Sequence, residues 1–278
     1  MATADLLVII EMVLYRTGPY LFPQTFLDIT HVCRINFALI YAATDCSVWF
    51  TVFFSFDRFV SICCPNLKAK YCTEKTAALV LSTTCITFCL KAIPMYFKFE
   101  PGEIISNVPW FCHEKPAYYT DPGWVAFKWF DIVLTPLLPY SLILMLNALT
   151  VRYILVASRV RKGLRGQSKR KNSSDREMKS RRKSMILLFT ISGSFILLWL
   201  LYVVNFLYST ITGISPQYSN GSLYIFAEVG VMLMVLNCCT NAFIYGVTQS
   251  KFREQFKILM KYPVTSIMQL INKQNNGQ

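Results

Sequence analysis

The chain has 278 residues, of which 54% are hydrophobic, 15% aromatic and only 15% charged, with a mean hydropathy of +0.40. That is more apolar side chain than a soluble core of this size calls for, and it points to an integral membrane protein. The net charge of +13 is concentrated in runs that lie between apolar stretches and lack interleaved aromatics, which argues against nucleic acid as a partner.

In chain order, apolar stretches near or above membrane-spanning length cover Ala2–Tyr15, Ile35–Cys64, Thr76–Phe97, Trp124–Val156, Met185–Thr210 and Leu223–Val247. Six tilted or overhanging helices are therefore expected. The first stretch is short and holds Asp5, and it has neither the basic start nor the cleavage site of a secretory signal. In the second, Cys33 precedes Arg58 by 25 positions. As one helix that interval rises about 37 Å, enough to cross a hydrocarbon core of about 30 Å and leave the two residues at opposite faces. Asp57-Arg58-Phe59 places an ion pair at the end of an apolar run, where charge is costly unless it has a task.

Charge placement sets the orientation. Lys68, Lys70 and Lys75 follow the second stretch, a dense run from Arg159 to Lys183 follows the fourth, and Lys251, Arg253, Lys257 and Lys261 follow the sixth. Lys98–Asp121 mixes signs and Thr212–Gly221 carries no charge, so the basic loops and the C-terminus face the cytoplasm, and six spans put Met1 there too. Of ten cysteines, only Cys33 and Cys112 then fall on the outer side, and a disulfide between them is expected. Cys46, Cys85, Cys89, Cys238 and Cys239 read as small packing residues in helices. Cys63, Cys64 and Cys72 belong at the reducing inner face, where palmitoylation is a further reading. No Cys/His spacing suits zinc, and His31 and His113 read as loop residues.

Arg159–Arg182 contains Gly163, Gly166, Ser168, Ser173 and Ser174, a loop composition expected to interrupt two helices that overrun the membrane. Its basic residues suit anionic lipid headgroups or a cytoplasmic protein. Phe252, Phe256 and Leu259 recur at helical spacing within Ser250–Lys261, as in an amphipathic helix on the membrane surface, and Asn220-Gly221-Ser222 is an outer-side glycosylation sequon. A transporter would call for an internal repeat or paired broken helices, and an enzyme for clustered nucleophile, base or metal ligands; neither pattern is present in the sequence.

Taken in order, Thr3-Ala4-Asp5-Leu6-Leu7, Asp57-Arg58-Phe59 and Asn241-Ala242-Phe243-Ile244-Tyr245 resemble the second-, third- and seventh-helix motifs of rhodopsin-like G-protein-coupled receptors. Cys33, Cys112, Pro139 and Trp199 stand at consistent spacings between them. The resemblance runs from Ala2 to about Lys261 and implies an all-α seven-transmembrane bundle of which helices two to seven are present and helix one is missing. It divides the chain into a transmembrane domain over 1–248 and an amphipathic helix with a short cytoplasmic tail over 249–278. The wording around Asp57–Pro65, Asn147 in place of a common tyrosine, and Ala242 in place of the usual proline resemble an orphan branch whose close members respond to aromatic amino acids. Where those members carry arginine in the ligand pocket, this chain has Tyr202.

The resemblance further implies roles. Asp57, Arg58, Phe59, Asn241 and Tyr245 would form the G-protein switch, and Val48, Pro139, Phe195 and Trp199 the connector and toggle beneath the ligand. Asp5, Ser47, Asn237 and Asn241 would hold an allosteric sodium ion, with no other cofactor; Ser47 lies about three helical turns before Arg58, level with Asp5. Expected partners are a heterotrimeric G protein, an extracellular small molecule or peptide and membrane lipids, at the plasma membrane for a complete receptor. Arg181 stands where relatives often carry the acidic partner of Arg58, so a weakly held resting state and ligand-independent signalling are expected. Leu201 replaces the usual sixth-helix proline, so a straighter helix is expected. The alternative expectation is a truncated six-span product that does not signal and pairs with or retains a full-length receptor.

Overall fold

Nine α-helices carry most of the chain in the computed structural model, which describes residues 2–21, 25–164, 172–214, 221–248, 253–254 and 258. They are α1 (Ala2–Leu21), α2 (Thr30–Cys63), α3 (Pro65–Tyr71), α4 (Glu74–Ala92), α5 (Ala117–Thr120), α6 (Pro122–Ile132), α7 (Leu138–Leu164), α8 (Asn172–Thr212) and α9 (Gly221–Thr248). Local chemistry sets several of the boundaries. Thr73 accepts the Thr76 amide at the start of α4, and Asp121 accepts the Gly123 and Trp124 amides ahead of Pro122 at the start of α6. Pro94 turns the end of α4 into a 3-10 segment, Ile93–Phe97.

Among the described residues, five segments have the length and apolarity to cross a membrane: Thr30–Cys63, Glu74–Phe97, Pro122–Ala157, Ser184–Thr212 and Gly221–Asn241. The sixth expected span, α1, is not among them, because its twenty residues include Asp5, Glu11 and Arg16. It nevertheless packs against α2 and α9 with Asp5 and Val8 buried. The Pro122–Ala157 span also departs from a simple helix. Between α6 and α7 it widens into a π-helical turn, Val133–Leu137, that contains Pro136. Proline has no amide hydrogen to donate, and a wide turn absorbs the missing bond without a sharp break. The Ser184–Thr212 span, lacking proline at Leu201, runs within one uninterrupted helix, α8. Both α7 and α8 overrun the apolar segment on the inner side, as their sequence suggested, and 165–171 between them lie outside the described residues.

Unlike a soluble protein, the bundle is apolar on its outer faces as well as in its core. Leu79, Ile86, Leu197, Met232 and Phe243 face outward, more than 60% exposed, while Val48, Val52, Ile143, Phe195, Trp199, Val203 and Met234 form the central core. The helices α8 and α9 approach so closely at Gly230 that a Cβ there would lie 3.2 Å from the backbone of Tyr202. Among the smaller cysteines, Cys46 and Cys238 are buried as expected, but Cys89 and Cys239 point outward.

Lys98–Asp121, expected as a loop, is folded. Strand β1 (Phe99–Glu100) pairs antiparallel with β4 (His113–Glu114), and between them β2 (Glu103–Ile105) pairs with β3 (Val108–Trp110). Ser106 and Asn107 both take positive φ, 53° and 60°, in the tight turn joining β2 to β3. The Cys33–Cys112 disulfide ties this double hairpin to the outer end of α2. The Thr30 hydroxyl donating to the Phe111 carbonyl at 2.8 Å reinforces it, as does the Phe111 amide donating to the Asp28 carbonyl at 2.7 Å. His31 therefore begins α2 and His113 lies in β4, so neither is a loop residue.

Candidate functional site

The outer end of the bundle holds a cavity of about 180 Å³ lined by Tyr41, Lys98, Tyr118, Lys128, Tyr202 and Phe206, among others. Lys98 is buried and paired with Glu114 at 2.6 Å, and its ammonium lies 4.3 Å from the Tyr118 ring centroid. Burial disfavours the Lys98 charge, but Tyr118 and Glu114 outweigh burial and hold its pKa above the ordinary lysine value. Glu114 shows the converse: burial opposes ionisation, yet Lys98 and the Tyr119 hydroxyl bring its pKa below the usual carboxylate value. The Lys128 ammonium stands 4.7 Å and 5.2 Å from the rings of Tyr119 and Tyr118. Among the described residues it forms no ion pair. The cavity thus offers one cation paired with a carboxylate and a second, Lys128, held against aromatic faces, with Glu114 and Glu228 also in the lining.

An aromatic series leads inward from this cavity. Ring centroids are 6.0 Å apart for Phe206 and Tyr202, 5.5 Å for Tyr202 and Trp199, 5.3 Å for Trp199 and Phe195, and 5.4 Å for Phe195 and Tyr140. Tyr140, next to Pro139, donates its hydroxyl to the Ile196 carbonyl at 2.8 Å and so joins α7 to α8. Val48, Phe195 and Trp199 meet in the same core. Three of the four expected connector residues, Val48, Phe195 and Trp199, thus pack together with Tyr202 and Tyr140 against them, while Pro139 is not part of that cluster.

Farther in, Ser47 donates to the Asp5 carboxylate, and Asn241 Nδ2 lies 3.4 Å from the other carboxylate oxygen. Asp5, Ser47, Asn237 and Asn241 are all at most 2% exposed. Among the described residues the side-chain oxygens of Asn237 and Asn241 have no hydrogen-bond partner, a costly state for buried acceptors. A carboxylate, a hydroxyl and two spare amide oxygens are hard donors of the kind that suit a small cation. At the cytoplasmic end of α2, Arg58 pairs with its neighbour Asp57 and lies over the Phe54 ring at 5.4 Å, with both charged side chains about one-third exposed. The side chains of Tyr245, Ala242 and Arg181 lie outside the described residues, as do Asn220 and nearly all of Ser250–Lys261. Arg253, in that last stretch, donates to the Gly246 and Val247 carbonyls at the end of α9.

A further cluster has no counterpart in the sequence reading. Lys91 of α4 is held between Asp45 of α2, at 2.8 Å, and Asp131 of α6, with the three side chains 8%, 3% and 7% exposed. Thr135, within the π-helical turn, donates to Asp45 at 2.6 Å and accepts from Lys91 at 3.1 Å. Lys91 is the one charge in Thr76–Phe97, but Asp45 shares its apolar run with Asp57 and Arg58, and Asp131 shares its run with Lys128 and Arg152, so only the possibility of a mutual pairing across three spans could have singled them out.

The profile of the 7 transmembrane receptor (rhodopsin family) matches residues 1–245. Among curated proteins the chain is similar to cysteinyl leukotriene receptor 1 of Cavia porcellus, 20% identical over 283 residues that cover 99% of this chain and 77% of that protein. The same receptor of Sus scrofa is 20% identical over 285 residues, covering 99% and 77%, and that of Mus musculus 22% identical over 273 residues, covering 96% and 72%. These are multi-pass membrane receptors and not enzymes, in agreement with the five apolar helices and the outer disulfide. The chain belongs to the rhodopsin family of 7 transmembrane receptors.

Proposed function

We propose that the chain is a G-protein-coupled receptor for a small aromatic carboxylate, such as an aromatic amino acid. The observation that carries this reading is the continuous aromatic series from Phe206 and Tyr202 in the outer cavity to Phe195 and Tyr140 in the connector. A ligand ring inserted against Tyr202 would move the same packed unit that fixes α7 to α8. Lys128 supplies the charge for a carboxylate, and a cavity of about 180 Å³ is below the roughly 300–1,000 Å³ of drug-sized sites. Displacement of Trp199 and Phe195 would swing the inner end of α8 outward and open Arg58 to a heterotrimeric G protein. In the resting arrangement Asp57 neutralises Arg58.

In this reading α1, α2, α4, the α6–α7 span, α8 and α9 correspond to helices two to seven of the family, and Asp5, Ser47, Asn237 and Asn241 hold an allosteric sodium ion. Membrane lipids meet the exposed apolar faces, with anionic headgroups at the basic inner segment.

The test is guanine-nucleotide exchange on a heterotrimeric G protein reconstituted with the chain in lipid nanodiscs. L-Tryptophan and L-phenylalanine form one arm, and the cysteinyl leukotrienes after which the relatives are named form the other. An aromatic amino acid should stimulate exchange, and Lys128→Gln should weaken it at least tenfold, about 1.4 kcal/mol. Stimulation by leukotrienes alone would replace the ligand assignment.

A further inference from the structure

We propose that Lys91, Asp45 and Asp131 form an intramembrane ionic tie that fixes the π-helical turn of the α6–α7 span and thereby sets how far the receptor signals without ligand; this rests on the receptor reading above. The tie acts on that turn from two helices. Asp45 and Trp49 are four apart on α2 and so share a face. Asp45 accepts from Thr135, and Trp49 Nε1 donates to the Leu134 carbonyl at 3.2 Å. From α4, Lys91 donates to Thr135 and pairs with Asp131 immediately above the turn. Consecutive turn residues, Leu134 and Thr135, are thus anchored together with the residue that leads into them.

The position of the turn gives the tie its consequence. Lys128, in the outer cavity, lies one helical turn before Asp131, and Pro139 and Tyr140 lie directly after the turn. Val48, between Asp45 and Trp49 on α2, belongs to the central core with Phe195 and Trp199. The wide turn is therefore the non-α stretch of the α6–α7 span between the cavity cation and the tyrosine that holds α8 at Ile196. A π-helical turn is a local irregularity within an α-helix, of the kind frequently found at functional sites. Three buried charges that neutralise one another to within a single unit hold it in one register. Lys91, Asp45, Asp131 and Thr135 are positioning residues here, acting on the connector through the turn.

Hydrogen–deuterium exchange of the full chain in nanodiscs tests the tie, on the wild type, the isosteric variant Asp45→Asn/Lys91→Met/Asp131→Asn, and Thr135→Val, which keeps every charge. Both variants should exchange the amides of Val133–Leu137 at least tenfold faster, with α9 changed less than twofold, and spontaneous nucleotide exchange on the G protein should rise at least threefold. Unchanged exchange in the turn would overturn the proposal, as would equal acceleration in α9, which marks general loosening. So would faster turn exchange with nucleotide exchange unchanged from an active wild type. If the turn loosens but neither the wild type nor any variant drives the G protein, the receptor reading fails while the tie to the turn stands.

Discussion

Asp5 and Asp45 are both buried carboxylates within the bundle, 1% and 2% exposed, yet they are satisfied in opposite ways. Asp45 has a resident cation in Lys91, a shared hydroxyl in Thr135 and a second carboxylate in Asp131. Among the described residues Asp5 is met by the neutral side chains of Ser47, Asn241 and Cys238, beside amide oxygens of Asn237 and Asn241 that have no hydrogen-bond partner. The outer cluster is complete in itself and suits a fixed part, whereas the inner cluster lacks a positive charge and suits an exchangeable ion. A carboxylate inside a membrane is thus insufficient to identify a cation site; what its neighbours leave unsatisfied is the informative part.

The contrast can be broken most severely at the outer cluster. Lys91→Met strands two carboxylates, and removal of one partner from a buried ion pair typically costs about 3–5 kcal/mol; thermal unfolding in detergent should show a large loss that Asp45→Asn/Asp131→Asn largely restores in the same background. Outside the membrane, the Lys98–Glu114 pair offers a titratable version of the same arrangement. Glu114 titrates below its ordinary 4.5 in the folded chain, so its stabilisation is present above that value and lost as pH falls through the lower folded value. Melting temperature followed from pH 7 to pH 3 should fall at the acid end, and Glu114→Gln should remove that component at a cost of about 2 kcal/mol at pH 7. The smallest effect belongs to the inner cluster. Replacing choline by sodium chloride should stabilise the wild type by about 1 kcal/mol at sodium a few times its dissociation constant, and Asp5→Asn should abolish the difference; equal melting in both salts would sink the sodium assignment.

Much of the architecture is legible in the sequence because a membrane imposes coarse requirements. Runs of more than twenty apolar residues mark the five long spans, and topology alone leaves Cys33 and Cys112 as the outer cysteines that the structure joins. Asp5 is conspicuous near the start of its run, and the residues quoted beside it do meet it. Other features depend on contacts that no local pattern encodes. Lys91 stands near the outer end of an apolar run, where a lysine reads as interfacial, and its role emerges only when Asp45 and Asp131 arrive from other helices. Prolines at 136 and 139 signal an irregularity but not its kind; the Thr135 and Leu134 anchors accompany a widened turn where a kink was equally consistent. The hairpins over Lys98–Glu114 were hidden because strands of two or three residues are too short to show alternation.

The missing side chain at Gly230 gives α8 a fulcrum. With backbone against backbone at Tyr202, the two helices have no compressible side chain between them at that level. From Tyr202 the outer arm to Thr212 is about 15 Å and the inner arm to Asn172 about 45 Å at 1.5 Å per residue. A tilt about this point therefore converts each ångström of motion beside the cavity into about three at the cytoplasmic end, in the opposite direction. The absence of a single methyl group sets the mechanical advantage of the longest helix in the chain.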